Sequence, residues 1–203
     1  DLVRISDADA VLMTYYRNNV LHLFALPSLI ACAFISNAVV PTVDIQRLAW
    51  RVYPYIAAEL FLKWTEDELA AAVTANLEAL GRLGVIEPVE GAQAWRRPSS
   101  SSPKAQQLSL LAQATVQTIE RYYLAISILM HAGKGVLSAR ALAERCQLMA
   151  QRITMLYGFN SPEFSDRAMF DNFIALLLRR KVVGADEHGN LVYDEVLERV
   201  AAD

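Results

Sequence analysis

LEALGRLGVIEPVEGAQAW, residues 77–95, changes its period halfway along. Up to Leu83 the leucines and alanines recur at three- and four-residue spacing, the mark of one apolar face of a helix. Gly84 is placed to stop that helix, because glycine takes left-handed backbone without steric cost. Beyond it Val85, Ile86, Val89 and Trp95 flank a Glu90-Gly91 turn, which predicts a short hairpin over 85–96 with Pro88 confined to an edge. The same order returns in FIALLLRRKVVGADEHGNLVY, residues 173–193. There an amphipathic helix runs through an aliphatic pair into a His188-Gly189-Asn190 turn, predicting a second hairpin over 182–193. Helix followed by hairpin is the closing part of a winged helix-turn-helix. The expected fold is therefore mainly α: a helical bundle with two small β-hairpins, winged-helix-like pieces.

Working outward, helix signals dominate. Thr65 with Glu68 forms a T-x-x-E capping box ahead of DELAAAVTANLEALGRL, residues 67–83, and Ser6 with Asp9 resembles one ahead of the first helix. Thr42 can cap DIQRLAWRVY, and Pro54 can open a further helix over PYIAAELFLKW. Between Arg17 and Asp44 no charge occurs, a stretch longer than the roughly 20 residues that cross a bilayer. Within it Thr14, Asn18 and His22 recur every fourth position, which puts them on one helical stripe. Pro27 removes a backbone hydrogen bond and crowds the carbonyl four residues back, predicting a break near Phe24 to Leu26 and two shorter helices. That pattern favours a kinked helical pair buried in protein over a membrane span. RPSSSSPK is an exposed connector by composition, so the expected division is a helical subdomain over 1–96, a connector over 97–104 and a second helical subdomain over 105–203. In the latter half, Ser138 opens a helix stopped by Gly158, Ser161 with Pro162 starts the next, and a short helix closes the chain.

Composition narrows the function classes. Of 203 residues 54% are apolar and 20% charged, enough for a well-buried core, and the net charge of −3 gives no general attraction to nucleic acid or anionic lipid. A recognition helix needs basic and amide side chains toward bases and phosphates, yet EDELAAAVTANLEAL is acidic and FSDRAMFDNFIALLL nearly neutral. No nucleic-acid partner is expected. Cys32 and Cys146 lack C-x-x-C spacing and sit in apolar helical context, so buried reduced thiols are expected. The paired tyrosines 15, 16, 122 and 123 read as amphipathic core residues with tethered hydroxyls, in preference to the alternative of a lipid-facing belt. His22, His131 and His188 are dispersed, with no pair at metal-ligand spacing, and neither a Walker A loop nor a G-x-S-x-G or G-x-G-x-x-G motif occurs. No metal and no cofactor is expected. The opening DLVRISDADAVLM has neither an initiator Met nor a signal-peptide pattern and reads as a start within a longer protein.

Three stretches carry a resemblance. LMTYYRNNVLHLFALPSLIA, YPYIAAELFLKW and AQRITMLYGFNSPEFSDRAMF resemble, in order and over nearly the whole chain, the C-terminal region of bacterial membrane glycerol-3-phosphate acyltransferases (glycerol-3-phosphate 1-O-acyltransferase). The resemblance implies a parent enzyme that moves a fatty acyl group from acyl carrier protein or acyl-CoA to the 1-hydroxyl of sn-glycerol 3-phosphate, the first step of phospholipid biosynthesis. It implies a place at the cytoplasmic face of the bacterial inner membrane for that parent, with this segment itself soluble and a membrane surface as one further contact. It also implies an H-x-x-x-x-D motif in a separate N-terminal acyltransferase domain, the expected partner of this region. Here Pro27, Val136 and Tyr193 stand five positions after the three histidines, so no histidine has the aspartate that would orient it as a base, and no catalytic residue carries over.

What remains is a positioning role. Arg17 lies in a long apolar neighbourhood with Tyr16, Asn18 and His22 within two turns, and a buried guanidinium requires partners. A carboxylate or helix terminus of this domain, the surface of the acyltransferase domain, and a phosphate of substrate or lipid are the three candidates. The rival to the acyltransferase reading is a winged-helix-like interaction or regulatory module with no enzyme attached, and an upstream H-x-x-x-x-D in the same reading frame discriminates the two.

Overall fold

A computed structural model describes residues 6–60, 62, 64–157, 162–195 and 197, without the side chains at 7, 8, 10–12, 14, 15, 17–19 and 162. The chain forms two compact units, Asp1–Val116 and Gln117–Asp203. The division falls inside a helix, whereas the serine-rich stretch lies within the first unit.

In the first unit α1 (Asp7–Cys32) leads to β1 (Val39–Pro41), α2 (Thr42–Leu60), α3 (Glu66–Arg82), β2 (Glu87–Pro88) and β3 (Ala94–Arg96). Ser6 caps α1 by accepting from the Asp9 N–H at 3.2 Å, as its spacing predicts. Ahead of α3 the Glu68 carboxylate reaches back to the Thr65 N–H at 3.0 Å. The hairpin β2–β3 forms where the period changes, and β1 adds to its other side, giving an antiparallel sheet of order β1-β3-β2 with Val40 opposite Trp95. That third strand has no signal in the sequence, since Val39–Pro41 is too short to show alternation. Leu26, Leu29 and Ile30 of α1, Ile45, Tyr53 and Ile56 of α2, and Leu69, Val73 and Leu77 of α3 make the core. Tyr53 keeps its hydroxyl satisfied at the Trp64 carbonyl, 3.2 Å away, and burial pushes its phenol pKa up.

Two expectations are corrected. Neither Pro27 nor Pro54 ends a helix: Pro27 sits inside α1 and Pro54 inside α2. Each proline frees the carbonyl four residues earlier, at Leu23 and Trp50, and these residues are 62% and 46% exposed, so water can take over the lost bond. On the other side both helices are packed into the core, which holds the ladder together around the gap.

α4 (Pro103–Ala132) starts at a proline in its first position, where the missing N–H costs nothing, and Ser102 caps it through the Lys104 N–H at 3.2 Å. Its first half belongs to the first unit. There Ser28 of α1 is fully buried and meets Thr115 at 2.8 Å and the Ala112 carbonyl at 3.3 Å, with Cys32 Sγ 3.6 Å from the Thr115 hydroxyl.

The second unit repeats the order of the first. After α4 come α5 (Ala139–Tyr157), a 3-10 turn (Pro162–Ser165), α6 (Arg167–Arg179) and the antiparallel pair β4 (Val183–Ala185) and β5 (Leu191–Tyr193). Ser138 bridges Asn190, and Leu137 accepts from the Leu191 N–H at 2.7 Å, so a strand-like segment ahead of α5 flanks β5 as β1 flanks β3. Ser138 also caps α5 through the Ala141 N–H. Asp166 caps α6 by accepting from the Ala168 N–H at 2.9 Å, behind the 3-10 turn that begins at Pro162. Ser161, the Gly158 stop and most of the closing helix lie outside the described residues.

The two helix-to-hairpin joints match bond for bond. The Val85 N–H bonds to the Leu80 carbonyl and the Gly84 N–H to that of Gly81; the Val182 N–H bonds to Leu177 and the Lys181 N–H to Leu178. Both are Schellman caps whose pivotal residue is left-handed, Gly84 at φ 66° and Lys181 at φ 57°.

Candidate functional site

The four residues singled out by the sequence lie on α1. Tyr16 is 61% exposed and His22 is exposed, while the side chains of Arg17 and Asn18 fall outside the described residues. At about 100° per residue Tyr16 and His22 point some 120° apart around the helix, so the two described members do not converge. Tyr16 instead joins a different set. Met13 (56%), Val20 (46%), Leu23 (62%) and Phe24 (48%) are exposed on the same side, an apolar stripe along the first half of α1. The signal for it was present in the 3-4-3 spacing of positions 13, 16, 20 and 23, which lie on the other side of the helix from positions 14, 18 and 22.

In the second unit the tyrosine pair of α4 divides its roles. Tyr122 is buried and stacks on Phe173 with ring centres 4.2 Å apart and planes 9° from parallel, whereas Tyr123 is 66% exposed. Arg121 is 4% exposed and donates from Nη1 to the Glu163 carbonyl at 3.2 Å, tying α4 to the 3-10 turn. Beside these residues lies an open cavity of about 470 Å³ lined by Leu124, Ile153 and Phe164, by the amphipathic rings of Tyr123 and Tyr157, and by Glu120 and Ser127. Partial burial pushes the Glu120 carboxyl up from its ordinary range. The cavity offers apolar contact, with no histidine in its wall to act as a base.

Elsewhere on the second unit Arg140 Nε bonds Glu144 at 3.0 Å and Arg167 approaches the same carboxylate at 3.3 Å, linking α5 to α6. The Arg140 guanidinium holds the Glu144 carboxyl below its usual range. Cys146 is fully buried on α5, and burial pushes its thiol up to about 12, far from a nucleophile's range. Among the described residues no group of three His, Cys, Asp or Glu side chains could hold a metal, and no helix is long and apolar enough to cross a membrane. The outer positions of α3, where a winged helix would read DNA, carry Ala70, Ala71, Thr74, Ala75 and Glu78 behind an acidic first turn.

Residues 1–186 match the family described as "Glycerol-3-phosphate acyltransferase C-terminal region". Among curated proteins, those named glycerol-3-phosphate acyltransferase from Pseudomonas paraeruginosa (strain DSM 24068 / PA7) and Pseudomonas aeruginosa (strain UCBPP-PA14) are 43% identical over 200 residues, 98% of this chain and 24% of each relative. The one from Pseudomonas fluorescens (strain SBW25) is 41% identical over the same extent. The chain thus spans about a quarter of the length of the curated relatives it matches. No solved structure matches.

Proposed function

The chain belongs to the glycerol-3-phosphate acyltransferase C-terminal region family, and on that premise we propose that it serves as the non-catalytic C-terminal domain of such an enzyme. In this reading the parent transfers an acyl group from acyl carrier protein or acyl-CoA to sn-glycerol 3-phosphate for phospholipid synthesis at the inner membrane. The observation that carries the proposal is a likeness over 98% of the chain to proteins four times its length. Its chemistry agrees: acylating a hydroxyl calls for a base positioned on the attacking oxygen, and none of the three histidines has an aspartate five residues on. Within this reading Arg17, flanked by Tyr16 and Asn18 and with His22 nearby, is a positioning residue and not a catalytic one.

The test compares two polypeptides. The 203-residue chain alone should not acylate glycerol 3-phosphate from either donor, and the longer reading frame that carries it should. Turnover by the short chain that disappears when one histidine is replaced would overturn the non-catalytic role. An inactive longer frame with no H-x-x-x-x-D upstream would leave the interaction-module reading in its place. Arg17→Ala in the longer enzyme should lower activity or thermal stability, and no change in either would remove Arg17 from the account.

A further inference from the structure

We infer that the exposed stripe Met13, Tyr16, Val20, Leu23 and Phe24 of α1 is the seat of the remaining part of the longer acyltransferase chain, an inference that rests on the reading just given. The stripe is about 17 Å long at 1.5 Å per residue. None of the described side chains from Met13 to Phe24 is buried, whereas Ala25, Leu26, Ser28, Leu29, Ile30 and Ala31 all are. The second half of α1 thus anchors the helix, and the first half presents large apolar groups at the 3-4-3 spacing with which helices pack on one another. A contiguous apolar surface of this kind, left in water, marks an interface.

Its occupant follows from length and charge. The relatives extend over about three-quarters of their length beyond the matched region, and the family is a C-terminal region, which sets chain ahead of α1. A lipid surface fits less well. Helices that lie on membranes carry Lys and Arg on their polar side, whereas α1 has Asp7 and Asp9 against the single Arg17. Asp9, exposed, lies on the same side of the helix as the stripe.

Thiol labelling tests this. Leu23→Cys, Tyr16→Cys and, as a reference on the outer side of α3, Thr74→Cys are each introduced into the 203-residue chain and into the longer polypeptide, and maleimide labelling is mapped by peptide. Leu23→Cys and Tyr16→Cys should react at least about tenfold more slowly in the longer polypeptide, with Thr74→Cys unchanged, a protection that corresponds to an opening equilibrium of about 1.4 kcal/mol. Equal rates at both stripe positions in the two polypeptides would overturn the inference. Protection of the short chain by phosphatidylglycerol-containing vesicles, or by raising its own concentration, would overturn it in favour of lipid or of a second copy. Acyl transfer measured on the longer polypeptide without any substitution keeps the two claims apart: no activity there sinks the acyltransferase reading, and fast labelling of both stripe positions in an active enzyme sinks only the docking surface.

Discussion

The hydroxyl pair inside the first unit makes a quantitative prediction. Ser28 and Thr115 are 0% and 1% exposed and 2.8 Å apart, buried from the solvent that could replace a lost partner. In Thr115→Val the volume is kept and the Ser28 hydroxyl can still donate to the Ala112 carbonyl at 3.3 Å, so the loss should be about 1 kcal/mol. Ser28→Ala leaves the Thr115 hydroxyl with only the weak sulfur of Cys32 at 3.6 Å, and should cost roughly 1–2 kcal/mol. The double replacement removes both polar groups from an apolar contact, so its cost should fall below the sum of the singles by about 1 kcal/mol. Trp50, Trp64 and Trp95 all belong to the first unit, so tryptophan fluorescence during urea unfolding reports that unit and not the other. The midpoints should shift at constant slope, the sign of a stability change without a change in exposed area. Additivity of the two singles within about 0.3 kcal/mol would refute the claim that these hydroxyls satisfy one another.

Three further outcomes follow from the described contacts. Lys181→Gly should raise the stability of the second unit by about 0.5–1 kcal/mol, and Gly84→Ala should lower that of the first by roughly 1–2 kcal/mol, because both positions are left-handed; thermal unfolding followed by circular dichroism and fluorescence checks the opposite signs. Cys146, held as a buried thiol with its pKa pushed to about 12, keeps its proton while the unfolded thiol ionises near 8.5, so the second unit should lose stability as pH rises from about 8.5 toward 12, and Cys146→Ala should flatten that fall. Phe173→Ala, which removes the ring stacked on Tyr122, should destabilise the second unit by about 3–5 kcal/mol, read as an early loss of far-ultraviolet ellipticity.

Where local chemistry decides structure, the sequence was explicit. Ser6 and Ser138 sit at helix starts because their oxygens reach orphan N–H groups only a few residues away, Thr65 because the Glu68 carboxylate reaches back to its N–H, and both hairpins were visible because period and turn residues change together. Pro27 and Pro54 misled for the opposite reason: whether a proline breaks a helix depends on what packs against the surrounding turns and on whether the freed carbonyl meets water, and both are tertiary facts. β1 escaped because three residues carry no period, and its place is set by pairing with β3, which lies more than fifty positions downstream. Of the candidate site, the tyrosine at 16 was found for its hydroxyl, but its exposed neighbours are Met13, Val20 and Leu23. A long apolar run does not say which half of the helix is covered until the rest of the fold is in place.

Because Leu108, Ala112 and Thr115 of α4 are buried in the first unit, that unit is closed by its last residues and not by its hairpin. During synthesis residues 1–96 can form helices and a wing but leave the α1 surface around Ser28 and Cys32 uncovered until the start of α4 leaves the ribosome. The contact between Ser28 and Thr115, 87 positions apart, therefore sets a late step in the birth of the domain, since a contact so distant in sequence forms only after a long loop has closed. A nascent chain stalled within the serine stretch would expose that apolar seam to chaperones, and one stalled after Val116 has emerged would not.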